Sequence, residues 1–369
     1  MWLIGNLSTS STRTYIIIGA IAFLIILTIC LRKWALHLNK QKKPDAPPQP
    51  ADTAAAGGCA IRTYSLEELK IVTADFSVRI GVGATSYVYL AELGGGRRGA
   101  VKRVMEARGG TQKIFLDEVS VLLRISHSNV VALLGFCLDK GEQLLLLEYV
   151  PNKTLFDRLH TRSAAGGGRL SWAERLRVAL DIAYAVDYLH SVADPPIIHR
   201  DIKSSNVLLT HDGRAKLADF GFCKLGGAAS GDKSAPTPIA VKGSLGYVDI
   251  NYLNTGIVST KSDVYSFGVL LLELVTGLRS LQGSFTLPEW TEDRRKSADV
   301  GVVAGMVDPN LDGDVDLEQL RVLVDVANLA LLSDSEARPD MAEIAYRISQ
   351  CLETDPGRRH CRLQPELPV

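Results

Sequence analysis

The sequence carries no excess of either charge. Its 41 lysines and arginines balance 41 aspartates and glutamates, for a formal net charge of +0. No global field then favours a polyanion, and nucleic acid is not an expected partner. Paired cysteines are also missing: Cys30, Cys59, Cys137, Cys223, Cys351 and Cys361 are scattered, with no C-x-x-C and no histidines at metal-ligand spacing. This argues against a disulfide framework or zinc site and for free thiols in a reducing compartment. No internal repeat is visible, which excludes a repeat array. A chain of 369 residues with 46% hydrophobic and 22% charged residues can bury a core, so disorder throughout is excluded too.

Long uncharged runs are scarce, and one stands out: YIIIGAIAFLIILTICL, residues 15–31. It is apolar all round, unlike an amphipathic core helix, and long enough to cross the hydrocarbon core at about 1.5 Å per residue. It exceeds the usual apolar region of a signal peptide and lacks a small-residue cleavage site, so a retained transmembrane helix is expected. Arg13 is the only basic residue before it, whereas Arg32, Lys33, Lys40, Lys42 and Lys43 follow, a bias that puts the C-terminal part in the cytosol. Residues 1–14 would form a short extracellular N-terminus, too small to bury a core or to bind a ligand by itself. Any outside signal would then need a co-receptor or receptor partner.

Residues 32–62, with PDAPPQPADTAAAGG at their centre, read as a flexible juxtamembrane linker. Ser65 and Glu68 fit a capping box that opens a short helix within a 63–75 extension. SYVYLAEL, GAVKRV, LLGFCL and QLLLLEYV have strand character, and Ile114, Phe115, Val119, Leu122 and Ile125 follow a helical period. The part over 76–150 is therefore mainly β with one helix. After Pro151 the pattern turns helical: Ser171 and Glu174 cap a long helix to His190, and another runs from about Thr260 until Gly277 stops it. The part over 151–352 is mainly α, followed by a tail, 353–369.

Gly81-Val82-Gly83 lies between two strands, where missing Cβ atoms let backbone fold over phosphates, although a lone G-x-G also fits an ordinary hairpin turn. Lys102 follows within an otherwise apolar strand and needs an anionic partner, for which Glu118 on the next helix is the candidate. His199-Arg200-Asp201-Ile202-Lys203-Ser204-Ser205-Asn206 and Asp219-Phe220-Gly221 form a more specific pair. Phosphoryl transfer needs a carboxylate to receive the hydroxyl proton and oxygen ligands to hold a divalent cation. Asp201 suits the first role, Asn206 and Asp219 the second.

SYVYLAEL, AVKRV, HRDIKSSN and ADFG, in this order over 76–352, resemble a eukaryotic protein kinase domain. LLEYVPNKTL, LSWAERL, DIAYAVDYLH, KSDVYSFGVLLLELVTG and ARPDM further resemble the plant receptor-like serine/threonine kinase family, here with a minimal extracellular part. The resemblance covers about three quarters of the chain. It implies an α+β bilobal fold, ATP with Mg²⁺ (or Mn²⁺), protein substrates with Ser or Thr acceptors, and a plasma-membrane location. It also implies roles: Val88, Ala100 and Leu208 around adenine, Leu147 as gatekeeper, Glu148 to Val150 as hinge, and Lys203 beside the catalytic Asp201. Arg200 would meet a phosphate on Ser230, Ser234 or Thr237, Ser244 would contact the catalytic loop, and Asp263 and Arg338 would brace the helical lobe.

Two departures stand out. Ser86 replaces the third glycine of the loop, and Asp249-Ile250-Asn251 stands where the family has Ala-Pro-Glu, so the glutamate that pairs with Arg338 is absent. A guanidinium left unpaired would soften the substrate-binding loop, with Asn251 offsetting part of the loss through its carbonyl. On these departures rests the alternative of a membrane-tethered scaffold without catalysis.

Overall fold

The computed structural model describes residues 61–83, 85–105, 111–161, 169–226 and 238–353. The expected span 15–31, nearly all of the linker, Ser230, Ser234, Thr237 and the tail beyond Glu353 lie outside them. Among the described residues no helix is long and apolar enough to cross a membrane.

The chain enters through β1 (Arg62–Thr63) and α1 (Leu66–Val72), then β2 (Arg79–Val82), β3 (Ser86–Glu92) and β4 (Arg98–Val104). Helix α2 (Thr111–Leu122) follows, then β5 (Leu133–Cys137) and β6 (Leu144–Glu148). The sheet order is β1-β5-β6-β4-β3-β2. Arg62, assigned to the linker from sequence, pairs instead with Gly135 in a parallel edge strand, a partner too distant in sequence for local composition to reveal. The expected capping box is present, with Ser65 Oγ accepting from the Glu68 amide at 3.2 Å and the Ser65 amide donating to Glu68 Oε2 at 2.8 Å.

Strand alternation explains the two faces of this sheet. On β6, Leu144 and Leu146 join the core beneath α1 with Leu69, Ala91 and Val101, while Leu145 joins the core that contains Phe115 and Val119 of α2. A run of four leucines thus serves both faces. Lys102 is the register partner of Leu145 and of Val88, and Ala100 that of Leu147. Cross-strand partners share a face, so Val88, Ala100, Lys102 and Leu147 all point to the α2 side.

The C-terminal lobe begins with α3 (Leu155–His160) and α4 (Trp172–Asp187), whose Ser171–Glu174 capping box is formed as expected. The helix expected to reach His190 widens into a π turn over Tyr188–Val192. That turn accompanies two tertiary bonds, Tyr188 Oη accepting from the Ser126 amide at 3.0 Å and His190 Nε2 meeting Asp263 at 2.9 Å. Short strands β7 (Ile197–Ile198), β8 (Val207–Leu209), β9 (Ala215–Leu217) and β10 (Lys224–Leu225) carry the loops between them, and α5 (Ile250–Thr255) follows. Helix α6 (Thr260–Thr276) is buried nearly all round and ends where expected, at Gly277 with φ 66°. A hairpin of β11 (Leu281–Gln282) and β12 (Phe285–Thr286) precedes α7 (Leu287–Arg295), α8 (Val300–Ala304), α9 (Leu317–Ala330) and α10 (Met341–Glu353). Helix α9 packs on α6 and α10 on α4.

Candidate active site

The Lys102 ammonium sits between two carboxylates, 2.7 Å from Glu118 Oε1 and 2.8 Å from Asp219 Oδ1. Strand β4 presents the lysine and α2 the glutamate, whereas Asp219 arrives from the loop after β9 with φ 65°. Burial alone would lower the pKa of Lys102, but the two carboxylates outweigh it and hold the ammonium charged. Burial raises Glu118, only partly offset by Lys102. At Asp219 desolvation pushes upward and the ammonium more than reverses it. Asp219 keeps 47% of its side chain open to solvent against 4% for Glu118, so Glu118 is the structural partner and Asp219 the one that faces the cleft. Next to it, Phe220 is buried in the same core as Phe115 and Val119.

The Asp201 carboxylate is buried and accepts from Lys203 Nζ at 2.6 Å, Ser244 Oγ at 2.7 Å and Asn206 Nδ2 at 3.0 Å. Asn206 Nδ2 also donates to the Asp201 carbonyl at 2.8 Å. Ser244, expected to contact the catalytic loop, accepts from Lys203 Nζ at 2.7 Å while donating to Asp201. Asp263, expected to brace the helical lobe, accepts from the amides of His199 at 2.7 Å and Arg200 at 2.8 Å and so holds this loop. Those bonds hold Arg200 in the left-handed region, φ 69°, which a non-glycine residue rarely adopts.

His199 is fully buried; Nδ1 accepts from the Asp201 amide at 3.3 Å, which leaves Nε2 to donate to the Ala218 carbonyl at 3.2 Å. Burial pushes its pKa below the ordinary value. Between the unfolded pKa of about 6.5 and the lower folded one, the unfolded chain binds a proton that the folded chain refuses. Stability is therefore expected to fall as pH drops below about 6.5, by at most about 1.4 kcal/mol per pH unit from this group. Denaturant melts of the protein and of His199→Gln across that range should show a shallower loss in the variant.

Gly81 lies opposite Val88, where an added Cβ would stand 3.3 Å from the Val88 Cβ, and the Gly83 amide donates to the Ser86 carbonyl at 2.8 Å. Ser86 is buried, and a Cβ at Gly83 would lie 3.0 Å from its Oγ. The serine thus fits because position 83 has no side chain. Val82 is exposed on β2. Val88, Ala100 and Leu147 share the Lys102 face, and Leu208 on β8 comes from the other lobe. Glu148 ends β6 with its carboxylate on Lys216 at 3.0 Å, and Val150 is buried two residues on.

Arg338 corrects an expectation. Its guanidinium is fully buried, and Asp249 takes it in a fork, Nη1 to Oδ2 at 2.7 Å and Nη2 to Oδ1 at 2.9 Å. Nε donates to the Leu332 carbonyl at 2.8 Å. Asn251 plays no part in the pairing: its Nδ2 donates to the Ser333 carbonyl at 2.5 Å. The ion pair is kept, with its carboxylate two positions earlier in the chain.

Sequence reasoning also missed a buried polar chain behind the catalytic loop. Ser204 Oγ lies 3.1 Å from Tyr247 Oη, which donates to Glu273 Oε2 at 2.5 Å, and Glu273 Oε1 meets His160 Nε2 at 3.1 Å. Burial and the adjacent carboxylate raise the Tyr247 pKa, so the phenol remains a donor. A glutamate within the otherwise apolar VLLLELV of α6 was the one available signal.

A two-lobed fold whose cleft pairs a bridged lysine with a buried, well-oriented carboxylate defines a phosphoryl-transfer enzyme. Residues 75–362 match the family described as Protein kinase domain. A rice (Oryza sativa subsp. japonica) protein, Salt tolerance receptor-like cytoplasmic kinase 1, is 39% identical over 82% of this chain and 85% of its own length. From Arabidopsis thaliana, Probable LRR receptor-like serine/threonine-protein kinase At5g37450 is 37% identical over 90% of this chain and 35% of its own. Calcium/calmodulin-regulated receptor-like kinase 2 of the same plant is 35% identical over 83% and 67%. The chain therefore belongs to the protein kinase family, in its plant receptor-like serine/threonine branch. It spans most of the rice relative but only about a third of the leucine-rich-repeat receptor kinase.

Proposed function

We propose that the chain transfers the γ-phosphoryl group of ATP to Ser or Thr hydroxyls of cytosolic proteins while held at a membrane, the plasma membrane, by residues 15–31. The observation that carries this reading is the convergence in one cleft of Lys102, between Glu118 and Asp219, with Asp201 under Lys203, Ser244 and Asn206. Asp201 accepts the proton of the incoming hydroxyl and Lys102 steadies the α- and β-phosphates. Gly81 to Gly83 cover the phosphates. Val88, Ala100, Leu147 and Leu208 enclose adenine, and the backbone from Glu148 to Val150 bonds its edge.

The donor set at the phosphate end suits a hard divalent cation, Mg²⁺ or alternatively Mn²⁺. Asn206 Nδ2 is committed to Asp201, which turns Oδ1 to ligation, and the Asp219 carboxylate is open to the cleft. The bound ion would neutralise charge on the phosphates. An alcohol rather than a phenol as acceptor follows from the resemblance of the loop with Lys203 to that of serine/threonine kinases and from the name of a relative. A receptor or co-receptor partner supplies recognition of any outside signal.

Full-length protein in lipid nanodiscs, given Mg²⁺ and γ-labelled ATP, is expected to place label on serine or threonine of itself or of a general protein substrate. Lys102→Met should lower kcat/KM by about 10²-fold or more, the loss of one preorganised cation at the phosphates. Label on tyrosine, or wild-type incorporation no greater than that of Lys102→Met, would overturn the reading.

A further inference from the structure

The donors that hold the Asp201 carboxylate come from two segments. Lys203 and Asn206 belong to the loop between β7 and β8, whereas Ser244 lies 43 positions beyond Asp201, between β10 and α5. A proton acceptor misplaced by about 1 Å loses much of its effect, so the register of these two segments matters to turnover.

Tyr247 is tied to both. Its amide donates to the Ser244 carbonyl at 3.1 Å. Its phenol gives its single proton to Glu273 Oε2, which leaves Oη to accept from Ser204 Oγ at 3.1 Å and from the Ser204 amide at 3.4 Å. Ser204 opens a short 3-10 turn, Ser204–Asn206, closed by the Asn206 amide on the Lys203 carbonyl at 3.0 Å. Fixing Ser204 therefore fixes Lys203 and Asn206 on either side of it. Helix α6 anchors Tyr247 at two points, through Glu273 and through Ser266 Oγ, which donates to the Tyr247 carbonyl at 2.8 Å. The other oxygen of Glu273 meets His160 Nε2 at 3.1 Å, from the end of α3. Ser204, Tyr247, Glu273 and the His160 ring are all buried, so solvent does not replace a bond lost from this chain. Packing alone does not call for the hydroxyl: the Tyr247 ring belongs to the main apolar core, and phenylalanine would fill the same space.

We infer that Tyr247 is a positioning residue for phosphoryl transfer: its hydroxyl couples α6 through Ser204 to Lys203 and Asn206, and so holds both in register with Ser244 around Asp201. The inference rests on the phosphoryl-transfer reading above. Full-length protein in nanodiscs tests it, with calorimetry of Mg²⁺-ADP counting the competent sites so that turnover is expressed per nucleotide-binding site. Tyr247→Phe should lower kcat by about ten- to a hundredfold, with the KM for ATP and the affinity for ADP unchanged. Ser204→Ala should cause a similar loss, and the double variant should be no worse than the worse single, since both cut the same link. Glu273→Met should behave like Tyr247→Phe. Glu273→Gln keeps an oxygen for the phenol and can donate to His160 in its other tautomer, so it should recover most of the turnover. Losses that multiply in the double variant, or a lower melting temperature with turnover per site unchanged, would show that the chain only holds the fold and would overturn the inference. Full turnover in Tyr247→Phe would do the same while leaving the phosphoryl-transfer reading intact. Wild-type incorporation no greater than that of Lys102→Met would instead remove that reading, and the inference with it.

Discussion

Asp201→Asn is expected to lower turnover by about 10²–10⁴-fold, the usual contribution of a positioned general base, while ATP binding changes little. The carboxylate already has Lys203, Ser244 and Asn206 as donors. The amide keeps the size and one acceptor but can no longer receive the hydroxyl proton. It also turns a donor group toward residues that themselves donate, so the loop should shift slightly. Lys102, Glu118 and Asp219 lie outside this change and should hold nucleotide as before. Phosphate transfer measured beside nucleotide titration separates the two effects. Equal turnover in both proteins would mean that Asp201 is not the base, and no turnover in either would revive the scaffold alternative.

The second large effect concerns stability. Asp249→Asn should destabilise the protein by about 3–5 kcal/mol, because it leaves the fully buried Arg338 without its counter-charge. Asn251→Glu should instead lie within about 1 kcal/mol of wild type, since the guanidinium is already occupied and Asn251 gives up only its bond to the Ser333 carbonyl. Combining the two substitutions tests the geometry further: a glutamate at 251 should recover part of the loss only when Asp249 has been neutralised. Denaturant melts of the three variants give the coupling directly. If Asp249→Asn costs no more than Asn251→Glu, the assigned partner of Arg338 is wrong.

This exchange of partners also changes the weight of the scaffold reading. That reading rested on Ser86 and on the apparent loss of the Arg338 pair. Ser86 is buried beside the missing side chain of Gly83, and Arg338 is fully satisfied by Asp249, Leu332 and Lys261. Neither departure leaves the cleft without a group that the chemistry needs.

What was legible in the sequence shares one physical property: each signal is local. The Ser65–Glu68 and Ser171–Glu174 boxes, the glycine that ends α6 and the alternation of β3, β4 and β6 each act within a few residues, so their consequences can be read in place. The expectation that Lys102, Asp201, Asn206 and Asp219 carry the chemistry has a related basis, and the structure brings Lys102 to Asp219 and Asn206 to Asp201. An ammonium within an apolar strand, or a carboxylate beside an amide at short spacing, demands a partner wherever the chain folds.

Only the tertiary structure decided which partners those were. Asp249 and Arg338 are separated by 89 positions, and Tyr247 and Glu273 by 26. In both cases several acidic residues in the sequence could have served. Arg62 became a strand only because β5 offered a free edge, and Arg295 was left without a carboxylate only because the helices packed with Asn328 facing it. The sequence by itself determined most of the helices and strands, since these follow from spacing and side-chain type. The partner of each buried charge follows from packing between distant segments, and no local pattern encodes that.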